Sequence, residues 1–174
     1  MTLRNRLTAL GLVALVLVFV ADQGSKTWIL QGLQLPLLGR VDLLPVLSLT
    51  MVWNQGVTFG LFKADGAWGP LLLVAVAIAI VVALAVWLRR AESRLVAFSL
   101  GAIAGGAIGN VLDRLRFGAV VDFIHFHVGS WSWYVFNVAD AAIVCGVAAL
   151  VLDGLRPKSR GADERLAGPG PAEL

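Results

Sequence analysis

WGPLLLVAVAIAIVVALAVWL, residues 68–88, contains no ionisable side chain and is apolar on every side of any helix built from it. At about 1.5 Å per residue the run is close to the ~30 Å of hydrocarbon in a bilayer, and a helix greasy all round has no face to offer water. Three further runs resemble it: roughly residues 7–30, 95–113 and 138–155. With 59% hydrophobic and 14% charged residues, the composition excludes an ordinary water-soluble domain. The expectation is an all-α membrane protein, a four-helix transmembrane bundle over residues 1–156, with outer segments at 31–67 and 114–137.

The first run competes with a cleavable signal peptide, because Arg4 and Arg6 precede it. It resumes with Trp28, Ile29 and Leu30 after Asp22 and Lys26, without an extended small-residue cleavage region, and so reads as a retained helix. Arg4 and Arg6, then Arg89, Arg90 and Arg94, then Arg156, Lys158, Arg160 and Arg165 share one side, nine of the 14 cations. By the positive-inside rule both termini are cytoplasmic. Trp28, Trp53, Trp68, Trp131 and Trp133 then fall at the opposite interface and Trp87 at the inner one. The net charge of +3 is accounted for by topology and lipid headgroups, and no nucleic-acid motif is present. The single cysteine, Cys145, is expected to pack as a small apolar residue. Residues 157–174, polar and rich in Gly and Pro, read as a disordered cytoplasmic tail.

The outer segments have patterns of their own. From Leu47 to Trp53 apolar and smaller residues alternate, the period of a half-buried strand, and Asn54-Gln55-Gly56 follows as a turn. A small cradle on the outer membrane surface fits. Residues 119–128 and 131–136 form two extended runs around Gly129-Ser130, either a hairpin or an interfacial segment.

Polar residues at membrane depth are costly and therefore informative. Asp22 and Lys26, Asn110 and Arg114, and Asp140 all fall toward the outer interface, near Asn54 and Asp122 of the outer segments. Taken singly, each has a structural reading: an ion pair, a snorkelling arginine, a carboxylate at a helix N-terminus. Seven groups at one depth point to a site. Asp122 and Asp140 flank the second outer segment, which by returning to the bilayer brings them together. Two adjacent carboxyls share a proton, one acting as base on a water and the other donating to a carbonyl, and their apparent pKa values belong to the pair.

Zinc at Asp122, His125 and His127 is a rival reading that periodicity disfavours, since neither a strand nor a helix presents all three on one face; loss of activity on chelation, restored by zinc, would favour it. Gly101, Gly105 and Gly109 form a small-residue stripe that lets another helix come close, drawing Asn110 and Arg114 toward its neighbours.

The blocks DQGSK (22–26), NQGVTFG (54–60), GGAIGNVLDR (105–114), VVDFI (120–124) and FNVAD (136–140), in this order, resemble the lipoprotein signal peptidase family, or signal peptidase II. The resemblance implies a bacterial inner-membrane aspartyl endopeptidase without metal or other cofactor. Such enzymes cut prolipoproteins on the amino side of a diacylglyceryl cysteine and are inhibited by the cyclic peptide globomycin. It further implies Asp122 and Asp140 as the catalytic dyad, in an order the sequence does not assign. Asn54, Gly56, Asn110, Arg114 and Asn137 would line the substrate site, with Asp22 and Lys26 either touching substrate or bracing it. Thr58 departs from the family's usual Ala or Ser and bears on fine substrate preference. One chain supplies every group, so a monomer is expected.

Two other classes compete. A transporter needs a polar path across the bilayer, yet the inner halves of the second and fourth helices hold no ionisable residue before the interface. An assembly factor using the glycine stripe would leave both aspartates dispensable.

Overall fold

The computed structural model describes residues 2–56 and 68–155, so Thr58, the cations from Arg156 onward and the expected tail lie outside the described residues. Helix α1 (Leu3–Thr27) starts four residues before the apolar run does, because the hydroxyl of Thr2 caps it by accepting from the Asn5 N–H at 3.3 Å. A π-helical turn, Trp28–Gly32, and the short α2 (Leu35–Leu38) carry the chain to the first strands. Helix α3 spans Trp68–Leu88. Helix α4 (Arg94–Phe117) is capped at its start by Ser93 and stopped by Gly118 at φ 70°. It runs a turn beyond the expected residue 113, because Arg114–Arg116 are good helix formers and the left-handed glycine supplies the stop. Arg114 is therefore on the same helix as Asn110, in keeping with their spacing of four, and the outer segment starts later than residue 114. Helix α5 covers Val138–Gly154.

Three of these are long and apolar enough to cross a membrane: α1 with its π-turn (Leu3–Gly32), Leu71–Leu88 of α3, and α4. Large apolar side chains stand exposed along them, including Val16, Val20, Ile78 and Val82, which is lipid-facing surface in a multi-pass membrane protein. Cys145 is also exposed, on the outer face of α5, and does not pack inside as its position suggested; only neighbouring helices decide which face of an all-apolar helix is inward.

Helix α4 is the hub, packed against α1, α3 and α5. Its glycine stripe meets α1 directly. A Cβ at Gly101 would collide with the Gly11 carbonyl, at Gly105 with that of Leu15, and at Gly109 with the Asp22 carboxylate; Gly106, on another face, abuts Ala139 of α5. Gly101→Leu is therefore expected to cost at least about 1–3 kcal/mol, the usual range for overpacking, read as a lower unfolding midpoint in detergent. An unchanged midpoint would contradict this close approach.

Four antiparallel strands, β1 (Arg40–Leu44), β2 (Leu47–Asn54), β3 (Val120–Val128) and β4 (Trp131–Ser132), form a sheet in that order. Ile29, Leu35, Leu49, Val121 and Phe123 make the core that seats it on the end of α1. The second outer segment is a hairpin, turned at Gly129 with φ 59°. The alternation expected along β2 does not run unbroken. Leu49 faces Ile124 but Val52 faces Asp122, so a one-residue bulge separates the two stretches. A slip of one residue exchanges the faces of a strand. Beyond the bulge, Asn54 and not Trp53 shares the face of Asp122.

Candidate active site

The residues that converge come from α1, β2, α4, β3 and the start of α5. Asn137 caps α5: its Oδ1 accepts the Asp140 N–H at 2.8 Å while Asp140 Oδ2 accepts the Asn137 N–H at 3.2 Å. This reciprocal box explains why Asp140 stands in the first turn, where the helix dipole also favours a carboxylate. The Nδ2 group of the same Asn137 donates to Asp122 Oδ1 at 2.7 Å and to Asn110 Oδ1 at 3.2 Å. Asn137 thus touches both aspartates at once. Asn110 returns the link by donating Nδ2 to Asp140 Oδ1 at 2.9 Å, and Asn54, aimed by the bulge, donates to Asp122 Oδ2 at 2.9 Å. Gly56 lends its N–H to Asn54 Oδ1 at 3.2 Å, an Asx turn that holds the amide in place.

Beneath this layer is a buried ionic group. Lys26 Nζ lies 2.9 Å from Asp22 Oδ2 and 2.6 Å from Asp113 Oδ2, and donates to Asn110 Oδ1 at 3.0 Å. All three charged residues are 2% exposed or less. Each carboxylate also holds one backbone amide: Asp22 Oδ1 accepts from Ala139 N at 3.0 Å, and Asp113 Oδ2 accepts from Val121 N at 3.2 Å. Ala139 and Val121 directly precede Asp140 and Asp122. Lys26, by pairing with both carboxylates, sets the spacing of the two chain segments that carry the dyad candidates. Asp22 and Lys26 thus lie in a buried ionic brace between those two segments. Asp113 completes the brace although sequence reasoning passed over it; its spacing of three from Asn110 on one helix face was the available signal. Gln23 closes the group, donating to Asp22 Oδ2 at 3.1 Å and Asp113 Oδ1 at 3.0 Å.

Asp122 is 1% exposed whereas Asp140 is half-buried. Burial pushes the Asp122 carboxyl up to about 6, opposed by the Asn54 hydrogen bond and reinforced by the nearby negative charge of Asp140. Arg114 donates Nη1 to the Asn110 carbonyl at 3.3 Å, and its buried Nε has no partner among the described residues. That N–H is free to meet an incoming acceptor. The histidines lie elsewhere. Because β3 is a strand, His125 and His127 share the face opposite Asp122, their rings 5.4 Å apart; His125 meets the Thr50 and Ser132 hydroxyls, and His127 meets Ser48 and Arg40.

Fold and cluster together define a multi-pass membrane protein with two carboxylates bridged by amides at one end of its helices. A family model described as signal peptidase (SPase) II matches residues 14–156. Proteins named lipoprotein signal peptidase are similar: that of Methylorubrum extorquens (strain PA1) is 52% identical, covering 92% of this chain and 94% of its own length. That of Methylobacterium radiotolerans is 51% identical, covering 86% and 88%. Two bacterial membrane enzymes solved by the in meso method share the fold at TM-scores of 0.71 and 0.72, with 22% and 24% identity; they cover 94% and 85% of this chain and 94% of their own chains. The chain belongs to the signal peptidase II family and is a membrane peptidase.

Proposed function

We propose that the protein removes signal peptides from prolipoproteins by aspartyl chemistry at Asp122 and Asp140, cutting on the amino side of a diacylglyceryl cysteine. The observation that carries this reading is Asn137, which donates its side-chain amide to the Asp122 carboxylate and its backbone N–H to the Asp140 carboxylate. Helix α5 supplies the fourth crossing; its 17 residues reach about 25 Å, enough where Asn137 sits at the interface. Arg4 and Arg6 at the start of α1, Arg89 and Arg90 after α3 and Arg94 at the start of α4 support a reading with both termini in the cytoplasm and the dyad near the periplasmic face of the inner membrane. A lipidated cysteine keeps its acyl chains in the bilayer, which presents the scissile amide to the dyad and removes much of the entropic barrier to encounter.

The buried Asp122 carries the shared proton and hydrogen-bonds the scissile carbonyl, while the more exposed Asp140 takes a proton from the attacking water. The roles reverse as the amine leaves. Asn54, Gly56, Asn110 and Arg114 line the path of the peptide, and the free Arg114 Nε–H supplies a donor to it. Globomycin-type peptides occupy the same place. No metal or cofactor is required, and a single chain suffices.

Two measurements test this. The purified protein is expected to cut a diacylglyceryl prolipoprotein at least about 100-fold faster than its unlipidated form, since anchoring acts through effective concentration; equal rates would sink the lipid-positioning argument. The pH profile tests the proton assignment. The Asn54 hydrogen bond favours ionised Asp122, so Asn54→Ala should raise its pKa above about 6. The dyad loses its shared proton as pH rises through that value, so the alkaline limb of kcat/KM should move to higher pH in the variant, whatever happens to the maximum. A limb that stays or moves down would reverse the assignment.

A further inference from the structure

At the end of the helices far from the carboxylates, a groove of about 710 Å³ opens between the first turns of α1 and the last turns of α3. Arg4, Arg89 and Arg90 line its outer part, and Ala9, Leu12 and Val86 continue it along the helices. Leu12 and Val86 are about half exposed, so this apolar floor runs out onto the lipid-facing surface. Contacts among Leu7, Leu88 and Ala91 pin the two helix ends together beside it. Among the described residues, none of the three guanidinium groups pairs with a carboxylate. The C-terminal carbonyls of α3 oppose an anion here with roughly half a charge, which three full positive charges outweigh, and the N-terminus of α1 adds to the attraction.

We propose that this groove binds one anionic phospholipid of the adjoining leaflet, its phosphodiester on Arg4, Arg89 and Arg90 and an acyl chain along Leu12 and Val86. The graded lining carries the identification. Guanidinium groups match phosphate oxygens with paired donors, and basic pockets between membrane helices are recurrent sites for anionic headgroups. A soluble phosphate would use the arginines and leave the apolar floor bare. The volume suits a headgroup with the first part of a chain.

Native mass spectrometry on the delipidated full chain in detergent, titrated separately with phosphatidylglycerol, phosphatidylcholine and inorganic phosphate, tests the proposal. Wild type is expected to retain one phosphatidylglycerol in preference to phosphatidylcholine, and inorganic phosphate at equal concentration should not displace it. Arg89→Ala with Arg90→Ala should weaken retention about 30-fold, from the usual contribution of each cation near anionic lipid. Because those arginines also serve insertion, Ala9→Trp is the second variant: it fills the groove, keeps every charge, and should abolish retention while prolipoprotein cleavage continues at the wild-type rate. Equal retention of the two lipids, displacement by inorganic phosphate, or undiminished binding by Ala9→Trp would each overturn the proposal. So would failure of wild type to take up phosphatidylglycerol, the result expected if the chain's own tail fills the groove.

Discussion

Asp122→Asn and Asp140→Asn are each expected to lower cleavage of a lipidated precursor by roughly 10⁴-fold, the upper end of what a positioned acid–base group supplies. Both proteins should still fold and insert. An asparagine keeps the shape of the carboxyl and one acceptor oxygen, so at Asp122 the hydrogen bond from Asn137 or from Asn54 can persist. At Asp140 the capping contact with the Asn137 N–H can survive in the same way. What each variant loses is the capacity to exchange a proton. The readout is single-turnover cleavage at matched amounts of detergent-extracted protein, with unfolding midpoints as the control for structure. Near-wild-type cleavage by either variant would remove that residue from the dyad and revive the reading of the protein as a binding or assembly factor.

Lys26→Met is expected to produce the largest loss of stability, about 3–5 kcal/mol, the range seen when one partner of a buried ionic group is removed. Asp22 and Asp113, at 0% exposure, would face each other without their cation. A second comparison separates this from a simple packing defect. Adding Asp22→Asn and Asp113→Asn to Lys26→Met removes the uncompensated charges and should recover part of the midpoint, because neutral replacements of a whole buried ionic group are far less costly than a broken one. Activity should not return with it. The amides of Ala139 and Val121 would then meet weaker, uncharged acceptors, and the two segments carrying Asp140 and Asp122 would lose their common anchor. If the triple variant regains full activity as well as stability, the ionic group supports the fold alone and does not position the dyad.

The parts of this protein legible in one dimension are those governed by composition and period. A run such as 68–88 can satisfy its backbone only as a helix in hydrocarbon, and the run needs no partner to say so. The glycine spacing of four along α4 likewise announces a close helix neighbour, and Asn137 before Ala139-Asp140 has the spacing of a capping box. The ends of helices were less legible. Arg114 and Arg116 interrupt the apolar run and make the span look finished at 113, yet Gly118 and not charge ends the helix.

The sequence by itself determined that this is a membrane protein with a helical body, a small outer sheet, and polar groups concentrated toward one end, since hydrophobic burial and side-chain periodicity act locally along the chain. Tertiary structure alone decided which polar groups meet. The bulge in β2 turned Asn54 toward Asp122 against the strand's apparent alternation, because register depends on the partner strand. Asp113 became part of the brace because α1 comes close enough, across the glycine face of α4, for Lys26 to reach it. Asn137 came to hold both carboxyl groups, Asp122 through its side-chain amide and Asp140 through its backbone N–H, because β3 folds back onto the start of α5. Hydrogen bonds and ion pairs have reach of only about 3 Å, so which of them form is settled by packing in three dimensions and not by the order of residues.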